Sequence, residues 1–187
     1  MVVTVPLQPT LWRTCRVIAN RTRLGILQLA YSEPGLGVSE VAQRLGIPLS
    51  AASHSLRALE ARGLLEARRA GKWVRYLPPP AQHGNAARSL AAALGGAFRT
   101  ERDPISTMFD LATAFTHARR VTVFRALQRG PQTRSALRAA TRISDRALGR
   151  HLEKLKARGF VTCDRGVFVV PRLRGGVRRA LAALAAG

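Results

Sequence analysis

Two arginines four residues apart, Arg146 and Arg150, have the clearest chemistry in this sequence. A guanidinium group is planar and stays charged, and it can donate two parallel hydrogen bonds to a phosphate or to the O6/N7 edge of guanine. The sequence contains no P-loop, no nucleophile elbow and no close carboxylate pair, and its four histidines have no partner at a suggestive spacing. We therefore predict a protein that binds an anion and is not an enzyme.

The whole chain is strongly basic. Its 187 residues include 31 Lys+Arg and 10 Asp+Glu, which gives a formal net charge of +21. Residues 104–187 hold 17 basic and 4 acidic side chains, whereas residues 1–80 hold 11 and 4. Hydrophobic residues make up 47% of the chain, enough to bury a core. This balance predicts a polyanionic partner.

The sequence also excludes other classes of protein. No apolar run approaches the ~18–20 residues that a membrane span needs, and two cysteines cannot build a disulfide scaffold. We expect a cytoplasmic, nucleoid-associated protein with no membrane partner.

An internal repeat organises the chain. The segment Arg57–Leu65 aligns with Glu153–Val161 at a shift of 96 residues, and upstream positions align at a shift of 97. The boundary lies between Pro78 and Pro104. We predict a first domain over residues 1–80, a closing helix and linker over 81–103, and a second domain over 104–187.

Both halves show the same order of elements. Apolar residues recur at helical spacing in an opening helix (Leu7, Leu11, Cys15, Ile18; Met108, Ala112, Phe115) and in a closing helix (Leu90, Leu94, Phe98; Val177, Leu181, Leu184). Between them we predict a second helix (22–31; 119–128), a short third helix (38–45; 134–140) and a longer fourth helix (49–62; 145–158). Ser144 stands at the N-cap position of its helix, and Gly63 and Gly159 stand at left-handed C-caps.

A β-hairpin follows the fourth helix in each half. Short alternating stretches flank Ala70-Gly71 and Arg165-Gly166. The predicted fold is therefore mainly α with small β-hairpin wings, in two tandem winged helix-turn-helix domains. The apolar stripes of the opening and closing helices predict an interface around a pseudo-two-fold axis. It forms either within one chain, as an intramolecular pseudo-dimer, or between two chains, as a homodimer.

The first half closely resembles the ArsR-type winged-helix repressors. The segments that carry the resemblance are Ile26-Leu27, Val38–Gly46, Ser53–Leu59 and Ala61–Leu64, with Lys72–Tyr76 similar to the wing strand of that family. In the second half, Gly149-Arg150-His151-Leu152 resembles the core of the family's recognition helix. The resemblance implies a prokaryotic transcription regulator that dimerises through its first and last helices and binds operator DNA.

Two features depart from that family. Its metal sensors carry a Cys-x-Cys motif in a helix that is Val38–Leu45 here, where neither thiol nor histidine occurs. We therefore predict no metal site and no cofactor. The other departure is the duplication, since members of the family usually carry one domain per chain.

The residues predicted to contact DNA lie on the two recognition helices and the two wings. They are Leu49, Ser50, Ser53, His54 and Arg57 on the first helix, Arg68, Arg69, Lys72 and Arg75 on the first wing, Arg146, Arg150 and Lys154 on the second helix, and Arg165 on the second wing. Among them, Leu49 could meet only a thymine methyl group. Each could instead be a solvated surface residue.

Other residues have more ordinary interpretations. Asp145, in the first turn of its helix, favours interaction with the helix dipole, and Arg134 is a candidate phosphate contact. We expect Trp73 and Tyr76 to pack within the wing, His151 to contact either the wing or DNA, and both Cys15 and Cys163 to be small buried hydrophobes.

These observations predict a sequence-specific double-stranded DNA-binding transcription regulator, with repression as its action. Two alternatives stay open. A charge of +21 also suits a nucleoid-structuring or replication-associated protein with little sequence preference. Tandem winged helices also occur in protein-interaction adaptors.

Overall fold

A computed structural model describes residues 10–80 and 86–186, and it is mainly helical with two small antiparallel sheets. The elements of the first half are α1 (Leu11–Ile18), α2 (Arg21–Ser32), α3 (Val38–Leu45), α4 (Leu49–Glu60), β1 (Glu66–Ala70), β2 (Trp73–Leu77) and α5 (Ala86–Thr100). Those of the second half are α6 (Pro104–Thr113), α7 (Ala118–Gln128), β3 (Gln132–Thr133), α8 (Arg134–Thr141), α9 (Asp145–Ala157), β4 (Thr162–Asp164), β5 (Val167–Val169) and α10 (Gly176–Ala186). Leu7, predicted to belong to the first stripe, lies outside the described residues.

The first wing is the β1–β2 hairpin. Glu66 pairs with Leu77 and Ala70 with Trp73, so the tip is Gly71-Lys72, one residue later than predicted. Gly71 takes a positive φ of 61°, which a glycine adopts without steric cost, and this conformation fixes where the chain turns. An isolated bridge between Leu36 and Tyr76 fastens the hairpin to the loop before α3.

The second wing is shorter and belongs to a three-stranded sheet, ordered β3-β5-β4. Strand β3 was not predicted, because its two residues show no alternation and are defined only by pairing with β5. The predicted tip at Arg165-Gly166 is confirmed, and both residues have positive φ, 46° and 80°. Such a pair is the requirement of a tight type I′ hairpin turn.

Helix ends follow the repeat. Asn20 caps α2 and His117, its equivalent 97 residues later, caps α7; each side chain accepts a hydrogen bond from a backbone N–H of the first turn. The left-handed glycines Gly63 and Gly159 are confirmed, with φ of 65° and 69°. The prediction for Ser144 is wrong in part: it occupies the N-cap position of α9, but its side chain makes no capping hydrogen bond.

The two halves pack against each other through a shared hydrophobic core. Helix α5 contacts α10 extensively, α1 and α2 contact α6, and α1 also contacts α7 and α10. The core contains Leu11, Ile18, Leu90, Leu94, Met108, Phe115, Val177 and Leu181, all buried. Phe98 and Leu184, also predicted for these stripes, are partly buried against it.

Equivalent residues attach each second helix to the closing helix of its own half. Tyr31 in α2 donates a hydrogen bond to the Ala91 carbonyl of α5 (2.5 Å). Gln128 in α7, 97 residues later, donates to the Ala182 carbonyl of α10 (2.9 Å). The closing helices are therefore fixed to the domains that carry α4 and α9.

Candidate nucleic-acid interface

Helix α4 follows α3 through a tight turn. Gly46 takes a left-handed conformation with φ 61°, and Pro48 precedes the first residue of α4. The buried side of α4 consists of Ala52, Ser55, Leu56 and Leu59. Its opposite side exposes Leu49, Ser50, His54 and Arg57, and leaves Ser53 half-buried. The first seven residues of this helix carry no acidic or basic charge apart from the titratable His54.

The cations predicted for the first wing lie in different surroundings. Arg68, Arg69 and Lys72 are exposed, and Arg68 makes a 3.5 Å ion pair with Glu66. Arg75 is half-buried and forms an ion pair with Glu40 at the start of α3. The Glu40 carboxylate also accepts a hydrogen bond from the Gly37 backbone N–H (2.7 Å). Arg75 thus joins the wing to α3, which partly neutralises its charge.

Helix α9 is built in the same way but has a different surface. Arg142 adopts the left-handed conformation of the preceding turn with φ 53°, and Ala147, Leu148, Leu152 and Leu155 are buried. Arg146 and Arg150 are exposed. Since each guanidinium is open to solvent, both can reach a base edge or a phosphate.

An ion pair stands at the N-terminus of α9. Arg134, from α8, donates hydrogen bonds to both carboxylate oxygens of Asp145 (2.8 Å each) and to its backbone carbonyl (3.0 Å). Asp145 was expected to interact with the helix dipole. Its carboxylate also pairs with Arg134, which was a candidate phosphate contact. Gly149 lies beside this pair: a Cβ there would be 2.9 Å from Nη2 of Arg134.

The remaining predicted DNA contacts of the second half are Lys154 and Arg165. Arg165 is exposed at the tip of the second wing. Lys154 is half-buried, and the pKa of its ammonium is lowered first by desolvation and then by the nearby charges of Arg158 and Arg120. Contacts of both side chains with DNA stay predictions.

His151 lies beside the residue that caps α7. Its ring lies 4.9 Å from that of His117, the cap of α7, measured between centroids. Burial, followed by the charges of His117 and three neighbouring arginines, lowers the pKa of His151 to about 4. The imidazole is therefore neutral at physiological pH, and it adds no cation to the surface of α9.

Two further expectations are wrong. Trp73 was predicted to pack within the wing, but 58% of its surface is exposed. Trp73 and Tyr76 are three residues apart on β2, so they lie on opposite faces of the strand, and it is Tyr76 that lies on the buried face. Cys163 was predicted to be buried, but it is exposed, as are both other residues of the short strand β4. Cys15 is buried, as predicted.

Within residues 10–80 and 86–186, no three His, Cys, Asp or Glu side chains come together in a way that could hold a metal ion. The helices of the same residues include none with the length and apolar character to cross a membrane.

Comparison with known domains agrees with this geometry. Residues 25–69, from α2 into β1, match the IclR helix-turn-helix domain. Residues 115–164, from the loop before α7 to the end of β4, match a second model described as a helix-turn-helix domain. No curated protein matches the chain.

The chain therefore carries two DNA-binding helix-turn-helix domains in tandem, each with a hairpin wing, and the predicted fold class is confirmed. DNA binding and regulation of transcription are the properties that these domains indicate. The first half is similar to the IclR domain and not only to ArsR-type repressors, so the ArsR assignment stays a prediction.

Proposed function

We propose that this protein is a transcription repressor that binds a specific, non-palindromic site on double-stranded DNA. Both helix-turn-helix domains of one chain take part, with α4 and α9 as recognition helices. The proposal rests on one observation above all: the two helices occupy equivalent places in the repeat and expose different side chains.

The difference is visible position by position. At the shift of 96 residues, Ser50 corresponds to Arg146 and His54 to Arg150, and all four are exposed. A serine or histidine can bond several bases, whereas arginine favours guanine through its bidentate fork. A pair of half-sites read by such helices has different sequences, which makes the operator asymmetric.

The shared core supports simultaneous binding by both domains. Contacts of α5 with α10, and of α1 and α2 with α6, restrict the motion of one domain relative to the other. We propose that these helices surround a pseudo-two-fold axis, as the corresponding helices of two chains do in a helix-turn-helix dimer. On B-DNA this arrangement places the half-sites about 10 bp apart.

In this proposal the protein represses transcription by occupying promoter DNA. A chain that covers about 20 bp of a promoter excludes the polymerase from that stretch, and exposed cations on both wings hold it to the phosphates. The charge of +21 also favours a second candidate, a sequence-tolerant nucleoid-associated DNA binder.

The test is selection from a random pool of genomic fragments at ~50 and ~200 mM salt, with sequencing of what stays bound. With about 6–10 phosphate contacts, non-specific affinity falls about 10³–10⁵-fold over this range. An asymmetric motif enriched at the higher salt supports the proposed repressor. Loss of all binding without any enriched sequence contradicts it and favours the sequence-tolerant binder.

A further inference from the structure

The exposed large hydrophobic side chains of the described residues are Leu49 and Trp73, and both line the same groove. Each is 58% exposed. One is the first residue of α4 and the other is the first residue of β2, immediately after the wing tip. Exposed apolar surface that lines a groove marks a binding site more often than scattered apolar side chains do.

The groove lies between the N-terminus of α3, the N-terminal half of α4 and strand β2. Its volume is about 750 Å³, and Val38 and Val74 add to its apolar lining. Its side-chain hydroxyl groups come from Ser39 on α3 and from Ser50 and Ser53 on α4.

Charge inside this groove is balanced. The Glu40 carboxylate and the Arg75 guanidinium, which both line it, form an ion pair. The unpaired wing cations stand outside, since Arg69 and Lys72 are exposed and do not line the groove, although the Lys72 ammonium lies 5.2 Å from the Trp73 ring centroid. A phosphate therefore fits the rim, and an uncharged apolar group fits the interior.

We infer that this groove reads thymine, and that Leu49 and Trp73 are specificity-determining residues that contact thymine methyl groups in the major groove. The inference rests on the proposed function. The 5-methyl group of thymine is the apolar feature of the major-groove edge, and N-terminal residues of a recognition helix are those that reach base edges. Trp73 lines the same groove from strand β2 and, in this proposal, contacts the same methyl groups from the wing side.

The equivalent position in the second domain is polar. The residue equivalent to Leu49 is Asp145, which is held by Arg134, and the exposed residues that follow it include Arg146 and Arg150. The operator then has a thymine-rich half-site bound by α4 and a guanine-containing half-site bound by α9.

The experiment compares thymine with deoxyuridine, which lacks only the methyl group. The duplex selected at high salt is synthesised with thymine, and again with deoxyuridine in one half-site or the other. Affinities are measured for the full-length protein and for its Leu49→Ala, Trp73→Ala and Arg146→Gln variants. The first two substitutions are at exposed positions, so the fold is expected to tolerate them.

For the unmodified protein, deoxyuridine in the half-site bound by α4 should weaken binding about fourfold for each methyl group lost, the fold-change that burial of one methylene-sized group gives. Leu49→Ala and Trp73→Ala should each reduce this discrimination toward unity. Arg146→Gln, in the other domain, should lower affinity for both duplexes and keep their ratio.

Equal affinity for thymine and deoxyuridine duplexes would overturn the inference while leaving the repressor intact, and would point to another occupant of the groove, such as a protein segment or a small molecule. Discrimination that survives both apolar substitutions would overturn the assignment of Leu49 and Trp73. If the selection at ~200 mM salt enriches no motif at all, the proposed function itself fails, and the inference that the groove recognises thymine fails with it.

Discussion

Arg134 and Asp145 are joined by a bidentate ion pair at the point where α9 begins. Both guanidinium contacts to the carboxylate are 2.8 Å long, and a third hydrogen bond reaches the backbone carbonyl of Asp145. The pair connects α8 to α9, the two helices of the second helix-turn-helix. It also partly neutralises the charge of Arg134. Because both side chains are about half exposed, its contribution to stability is small.

Release of Arg134 should therefore change DNA binding more than folding. We expect Asp145→Asn to make Arg134 available to a phosphate, which steepens the dependence of log Kobs on log salt by about one unit on random duplex DNA. The measurement is a salt titration by fluorescence anisotropy. Glu101→Gln, beyond the end of α5, changes the net charge equally and should leave the slope unaltered; an equal effect of both variants would show that only total charge matters.

Arg146 and Arg150 should determine specificity in the second domain. If each forms a bidentate contact with guanine, Arg146→Gln or Arg150→Gln should cost about 1–3 kcal/mol on the selected site and relax the preference at one base pair. Competition assays with single-base variants of the site measure both effects. Arg99→Gln, at the exposed C-terminal end of α5, is the matched control. A uniform loss of affinity on all sequences would instead assign the two arginines to phosphates.

Packing of α5 against α2 requires a glycine at position 95 but not at the adjacent position 96. A Cβ at Gly95 would lie 2.3 Å from Cε1 of Tyr31, and that ring is held by its hydrogen bond to Ala91 and by contact with Phe98. Gly95→Ala should destabilise the protein by about 1–3 kcal/mol through overpacking.

Gly96 is the matched comparison. Nothing lies within 4 Å of a Cβ at this position, so Gly96→Ala should stabilise by about 0.5–1 kcal/mol through helix propensity. Urea denaturation of the two variants measures the difference. Similar midpoints for both would mean that α5 does not pack on α2 at this distance.

The order of elements could be predicted from the sequence because it depends on short-range signals. Apolar spacing located the helices, and Gly63 and Gly159 marked where α4 and α9 are followed by a left-handed residue. Repetition of the same signals 96–97 residues apart predicted two helix-turn-helix domains, and the domain comparisons agree. Such features require only neighbouring residues to form.

What could not be predicted depends on contacts between distant segments. Strand β3 exists only through its pairing with β5, and the exposure of Trp73 depends on which face of β2 packs against the rest of the domain. The bond between Arg134 and Asp145 depends on the angle at which α8 meets α9. For this reason the sequence could list candidate cations for DNA contact, but it did not reveal which of them are already paired within the protein.

The pH dependence of the free energy of unfolding should show the effect of the lowered pKa of His151. Its pKa is about 4 in the folded protein and 6.5 is its ordinary value, so between these pH values the unfolded chain binds a proton that the native state does not. The contribution of His151 to the free energy of unfolding is therefore constant above about pH 6.5, and it falls as pH decreases from 6.5 toward 4.

We expect His151→Gln to make the urea midpoint less sensitive to pH within that window. His54→Gln, at an exposed position on α4, should leave the sensitivity as it is. The measurement is a series of urea titrations between pH 4 and pH 7 at constant ionic strength. An unchanged pH dependence in His151→Gln would assign the fall to other groups.

We propose above all that one chain binds one asymmetric site through two different recognition helices. Native mass spectrometry of the complex with the selected duplex of about 20 bp, mixed with excess protein at ~200 mM ammonium acetate, measures the stoichiometry directly. The account predicts one chain per duplex, together with loss of the specific complex when either half-site is scrambled. Two chains on a palindromic site would contradict it and would show that the domains pair between chains.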